Sequence, residues 1–181
     1  MTRLKLNRLT GTLLAGILLT GALGHMVFDR VRLLQSGREI VLPIVPVDPR
    51  DLFRGDFTRM SYGEVSRPDK ALTGPLENHA GPVFVTLERR GDIWKPIAVD
   101  KSQPVATGRD TVVLLGRLQR YGGNIRYGLE RYYVPEGTGS RIEEMARKGT
   151  LSAIVAVDAA GKSAIKGLQF EGRRVHEERP L

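Results

Sequence analysis

The sequence has no cysteine. That excludes disulfides, thiolate metal sites and a cysteine nucleophile. Histidine is nearly as scarce. His25, His79 and His176 stand alone, with no His-Glu-x-x-His spacing that would hold a metal. No Gly-x-Ser-x-Gly elbow is present to carry a hydrolase serine. There are no internal repeats and no low-complexity segment, and no cofactor is expected. Acid is missing from residues 1–28, which hold Arg3, Lys5 and Arg8. Taking those three from the 28 basic residues leaves 25 against 20 acids, a net +5 for the rest. Basic residues there are scattered among Asp and Glu and form no stripe, which argues against nucleic-acid binding. A mixed solvated surface is the plain reading, with contact to anionic lipid as a middle case.

What is present begins with one long apolar run. Leu9 to Phe28 contains no Lys, Arg, Asp or Glu. Twenty residues at about 1.5 Å each make a helix of about 30 Å, the thickness of a bilayer core. Its length favours a spanning anchor over a cleaved signal, whose apolar core is about 7–15 residues. Small residues around Ala22-Leu23-Gly24 keep cleavage open as the other reading. The basic stub favours an N-in, C-out orientation, and Arg30 and Arg32 on the other flank oppose it. Gly11, Ala15, Gly16, Gly21 and Gly24 offer small faces on which another membrane helix could pack.

The remainder reads as one domain of mainly β class, barrel- or sandwich-like, with one short α-helix near 140–148. The expected organisation is a stub and anchor at 1–28, a linker at 29–38, a β-rich domain at 39–172 and a polar tail at 173–181. Glu39 to Val47 is β-rich, and Pro43 and Pro46 confine it to a sheet edge or a broken strand. In Asp56 to Tyr62, Thr58, Met60 and Tyr62 share one face. Residues 67–81 read as a surface loop with a helical turn. Val83–Glu88 and Ile93–Val99 flank a turn at Arg89-Arg90-Gly91-Asp92, a hairpin pattern. Thr111–Leu118 and Asn124–Val134 flank a second, with Ile125, Tyr127, Leu129 and Tyr133 on one face. Ser140-Arg141-Ile142-Glu143 is a capping box that starts the helix. Leu151–Val157 reads as a buried strand, turned by Asp158-Ala159-Ala160-Gly161 into a strand from Lys162 to Phe170. The tail after Gly172 is expected to fray.

One stretch carries a resemblance. Asp48-Pro49-Arg50-Asp51-Leu52-Phe53-Arg54-Gly55-Asp56-Phe57-Thr58-Arg59-Met60-Ser61-Tyr62 resembles the signature of the GDYXXLXY family. Gly55, Asp56 and Tyr62 match its Gly-Asp-Tyr-x-x-Leu-x-Tyr motif. Phe57 stands for the first Tyr, without its hydroxyl, and Met60 for Leu. The segment from Arg131 and Tyr132 to Gly139 also looks like members of this family. The resemblance implies a bacterial membrane-anchored protein with a multi-pass inner-membrane partner. It implies no catalytic residues.

The residues themselves suggest two roles for the motif. Gly55 suits a positive φ before the strand, and Asp56 can accept backbone N–H groups in that turn. Arg50 and Arg54 lie close in sequence to Asp48, Asp51 and Asp56. That makes either a salt-bridged turn or a fork for a carboxylate or phosphate. Glu130 and Arg131 on a strand, followed by Tyr132 and Tyr133, form a second candidate surface. The expected function is a non-enzymatic accessory or interaction domain outside the cytoplasm, tethered to the inner membrane. Its helix meets lipid and its domain meets a membrane protein or envelope component. The alternative is an envelope hydrolase with an Asp-based site or a Ser/Lys dyad of Ser61 with Lys70, Lys95 or Lys101. Such a dyad needs a desolvated lysine beside the serine.

Overall fold

The computed structural model describes residues 8–45, 57–76, 79–105, 108–120, 123–133, 144–145, 148 and 151–177. Arg8–Ser36 forms α1. Leucine is its commonest residue and a strong helix former. At 29 residues it is about 43 Å long. Its Thr10–Ser36 stretch is long and apolar enough to cross a membrane. The rest of the protein leaves that apolar run uncovered: Leu13, Ile17, Leu18, Leu19 and Met26 are all about two-thirds exposed. Only near its end does α1 meet the domain, where Leu34 is buried. The Gly37 N–H closes the helix onto the Leu33 carbonyl at 2.9 Å. A Cβ on Gly37 would lie 2.5 Å from that same oxygen, so only glycine makes the turn without a shift.

In chain order the strands are β1 (Arg38–Pro43), β2 (Phe57–Arg59), β3 (Gly81–Arg90), β4 (Ile93–Asp100), β5 (Thr111–Leu118), β6 (Ile125–Arg126), β7 (Arg131–Tyr133), β8 (Leu151–Val157), β9 (Ser163–Phe170) and β10 (Arg173–Glu177). A short helix α2 (Lys70–Thr73) runs into a 3-10 turn, Gly74–Leu76. Among the described residues the strands make two four-stranded antiparallel sheets, β1-β8-β9-β10 and β4-β3-β5-β6, and a ribbon of β2 and β7. The fold is thus β-rich, as the sequence indicates. β1 lies at a sheet edge, where its proline removes no ladder bond from a second neighbour.

Alternation drives the sheets together. On β3, Val83, Val85 and Leu87 point inward and are fully buried. They meet Leu114 of β5, Ile40 and Leu42 of β1, Val155 of β8 and Leu168 of β9 in one core. β8 is apolar on both faces, because Ile154 and Ala156 are buried too, where the end of α1 packs on β8 and β9. The β3–β4 hairpin turns at Gly91 and Asp92, with Gly91 at φ +66°. That suits a two-residue turn opening on glycine. On the outer side of the first sheet, Glu39 accepts from Lys166 at 2.7 Å and Arg174 at 2.9 Å. The Lys166 hydrogen bond is the main force holding the Glu39 carboxyl below its usual range, and burial opposes it.

The two sheets are also stitched by backbone. The Leu115 N–H donates to the Gly161 carbonyl at 2.7 Å. Gly161 sits at φ +81°, and a Cβ there would lie 3.0 Å from the Leu115 nitrogen. Gly161→Ala is therefore expected to cost about 1–3 kcal/mol. Gly91→Ala also has positive φ but meets no atom within 4 Å, so it reports the strain alone. Urea midpoints measure both. Equal losses would show that the sheet contact at Gly161 carries no energy.

Three sequence expectations need correction or bounding. The single strand expected over Asn124–Val134 is two: β6 joins the second sheet and β7 leaves it to pair with β2. The break falls at Gly128, φ +79°. Glu130 folds back there and accepts the N–H groups of Tyr127 at 2.6 Å and Gly128 at 3.1 Å. The break resets the inward parity, so Tyr132 is buried; the side chain of Tyr133 lies outside the described residues. Nor does the tail fray directly after Gly172: Arg173–Glu177 pairs with β9 as an edge strand. The capping box, including Ser140 and Glu143, lies outside the described residues. Glu144 and Met145 are helical, and the Lys148 N–H reaches the Glu144 carbonyl.

Candidate functional site

The motif enters the fold through β2. Antiparallel pairing sets Phe57 opposite Tyr133, Thr58 opposite Tyr132 and Arg59 opposite Arg131. The two segments singled out in the sequence are therefore neighbours in space, although about 70 residues separate them. The register continues past the strand, as the Met60 N–H donates to the Glu130 carbonyl at 2.9 Å. Asp48, Arg50, Asp51, Arg54, Gly55 and Asp56 lie outside the described residues, as does the side chain of Phe57.

Met60 and Tyr62, on one face of the strand, are both buried. The Tyr62 hydroxyl donates to the Leu129 carbonyl at 2.6 Å. Its backbone N–H reaches the Ser66 hydroxyl at 3.1 Å, and the Ile125 N–H reaches the Ser66 carbonyl at 2.8 Å. Tyr127 answers from the other segment: its hydroxyl donates to the Val65 carbonyl at 2.7 Å. Each tyrosine thus satisfies a buried carbonyl in the loop from which the other one springs. Among these groups Glu130 is the only carboxylate, and it holds the turn between β6 and β7.

Burial pushes both phenols well above the ordinary tyrosine range, and the Glu130 charge adds to the effect. Tyr62 and Tyr127 are thus fixed hydrogen-bond donors at neutral pH. Neither is a general base or nucleophile there. Of the surface expected from Glu130, Arg131, Tyr132 and Tyr133, Tyr132 is 6 % exposed and so belongs to the core, Glu130 turns back on two backbone N–H groups, and Arg131 is exposed. The structure removes Met60, Tyr62 and Tyr132 from the candidate contact residues and makes them core. Among the described side chains of the site, Arg131 on β7 is exposed.

The sequence does not single out Ser66, and it offers Glu130 as part of a surface rather than as the group that holds a turn; nor does it show the hydrogen bond of Tyr127. Gly128 followed closely by an acid was the available sign of a turn inside the second hairpin. The envisaged dyad lacks its desolvated amine. Lys70 and Lys101 are exposed, and Lys95 is 40 % exposed and lies 3.7 Å from Glu64. No group of three or more His, Asp or Glu placed to hold a metal occurs among the described residues.

These features define a β-rich two-sheet domain behind an apolar N-terminal helix, with a signature strand locked in by paired buried tyrosines. A family model for GDYXXLXY protein matches residues 19–168, and the chain belongs to that family. The match runs from within α1 through to β9, so it takes in both partners of the tyrosine lock. No curated protein matches the chain, and no solved structure does.

Proposed function

We propose that this protein is an inner-membrane-anchored accessory domain, N-in, whose β-rich part lies outside the cytoplasm and binds another membrane protein or an envelope component. One observation carries the reading: an apolar cylinder about 30 Å long stands bare of protein. Water does not tolerate that surface, so lipid or a neighbouring helix covers it. The small residues Gly16, Gly21 and Gly24 have nothing within 4 Å of an added Cβ, which leaves room for a helix to approach. The arginine-rich motif segment, which precedes β2 in the chain, supplies the recognition surface in this reading.

In vivo crosslinking followed by pull-down of the full chain tests it. Arg54→Ala is expected to cut recovery of a membrane partner severalfold while leaving the protein in the membrane fraction. Unchanged recovery would take the arginine turn out of the account. A C-terminal reporter active only outside the cytoplasm is expected to be active. A reporter active only in the cytosol would overturn the orientation.

A further inference from the structure

We propose that the cleft between the end of α1 and the β8–β9 turn binds the phosphate of an anionic phospholipid. The inference rests on α1 lying in a bilayer. The cleft has a volume of ≈ 850 Å³, and its walls are the last two turns of α1, Asp29 to Ser36, and the Asp158 to Ser163 turn. Binding sites for small molecules run from about 300 to 1,000 Å³.

Its position follows from the helix. Phe28 ends the uncharged run and Asp29 begins the wall of the cleft. Two helical turns rise about 11 Å. A helix that buries its apolar run therefore holds this wall at the level of the lipid headgroups. Leu33, also on the wall, offers an apolar strip beside the acyl boundary.

The charge of the cleft favours an anion. Arg30, Arg32, Arg38 and Lys162 line it, against Asp29 and Asp158. Both carboxylates are already engaged. Asp158 accepts the N–H groups of Ala160 at 2.9 Å and Lys162 at 2.8 Å. Asp29 accepts from the Lys162 ammonium at 3.2 Å. Arg38 is spent elsewhere, on the Thr111 carbonyl at 2.7 Å and over the Trp94 ring at 5.2 Å. Arg32 is exposed, and among the described residues no carboxylate pairs with its guanidinium. A guanidinium presents a planar fork that fits two phosphate oxygens. Arg32 is thus the group aimed at the ligand, and the engaged Asp29 and Lys162 frame it.

The test uses the full chain in lipid nanodiscs, with bound lipid read by native mass spectrometry after gentle release. Phosphatidylglycerol should be retained over phosphatidylcholine. Arg32→Gln should lower that preference about fivefold, the effect of one arginine near a charged surface. Arg32→Lys should keep most of it. Equal retention of the two lipids would overturn the proposal and leave the anchor standing. Displacement of the lipid by inorganic phosphate would also overturn it, by making the cleft a site for soluble anions. Failure of the chain to enter discs at all would overturn the anchor reading first, and the lipid site with it.

Discussion

Tyr62→Ala is expected to lower the unfolding free energy by about 3–5 kcal/mol, the cost of removing a large aromatic from a packed core. Tyr62 is 3 % exposed and its hydroxyl ends on the Leu129 carbonyl. Tyr62→Phe separates the two contributions. It keeps the ring and leaves that carbonyl without its donor, for about 1–2 kcal/mol. Tyr127→Phe should cost a similar amount through Val65. The two locks share the segments 62–66 and 125–130, so the double variant should deviate from additivity by about 0.5 kcal/mol or more. Denaturant unfolding of the detergent-solubilised chain measures all four. A Tyr62→Ala variant as stable as the parent would end the view that the signature is built to hold the fold together. A Tyr62→Phe variant that kept its stability and lost partner binding would make the hydroxyl a recognition group.

The double variant Leu18→Arg, Leu19→Arg should leave the membrane. Each arginine at the centre of a spanning helix costs about 2.5–3.5 kcal/mol on an insertion scale, so the pair costs about 5–7 kcal/mol. Both leucines are 66 % exposed and neither supports the domain. Folding of the β-rich part should therefore be unaffected. The expected result is loss from the carbonate-resistant membrane fraction with an unchanged melting temperature of the remaining protein. Retention in the membrane would mean that α1 is not what holds the chain there. The intact mass of the wild-type chain from membranes decides the related question. A full-length mass supports the retained anchor, whereas a chain shortened near Gly24 means a cleaved signal.

Much of this architecture was legible along the chain because it is written in local patterns. The β3–β4 hairpin follows from alternation on both sides of Gly91. β8 follows from the run Leu151 to Val157 and its turn at Gly161. The errors have a common origin. The segment 124–134 looks like one strand because its composition stays β-rich throughout. What breaks it is the Glu130 carboxylate turning back on two N–H groups, a contact that no periodicity reports. β10 was missed because Arg173–Glu177 is a polar edge strand, held by backbone pairing to β9 and by Arg174 reaching Glu39 on a distant strand.

The same limit shaped the reading of the site. Tyr62 and Tyr132 both fit a contact surface in sequence, as aromatic residues in segments that carry arginine. In the fold both are buried in the one core. By itself, then, the sequence determined the apolar helix, the β class and the positions of most turns, since each depends on a few neighbouring residues and on solvent. Only the tertiary structure decided which aromatic groups are core, which carbonyls they satisfy, and that the end of the helix and a β-turn share a cationic cleft. Those facts depend on strand register and sheet packing, which join residues far apart in the chain.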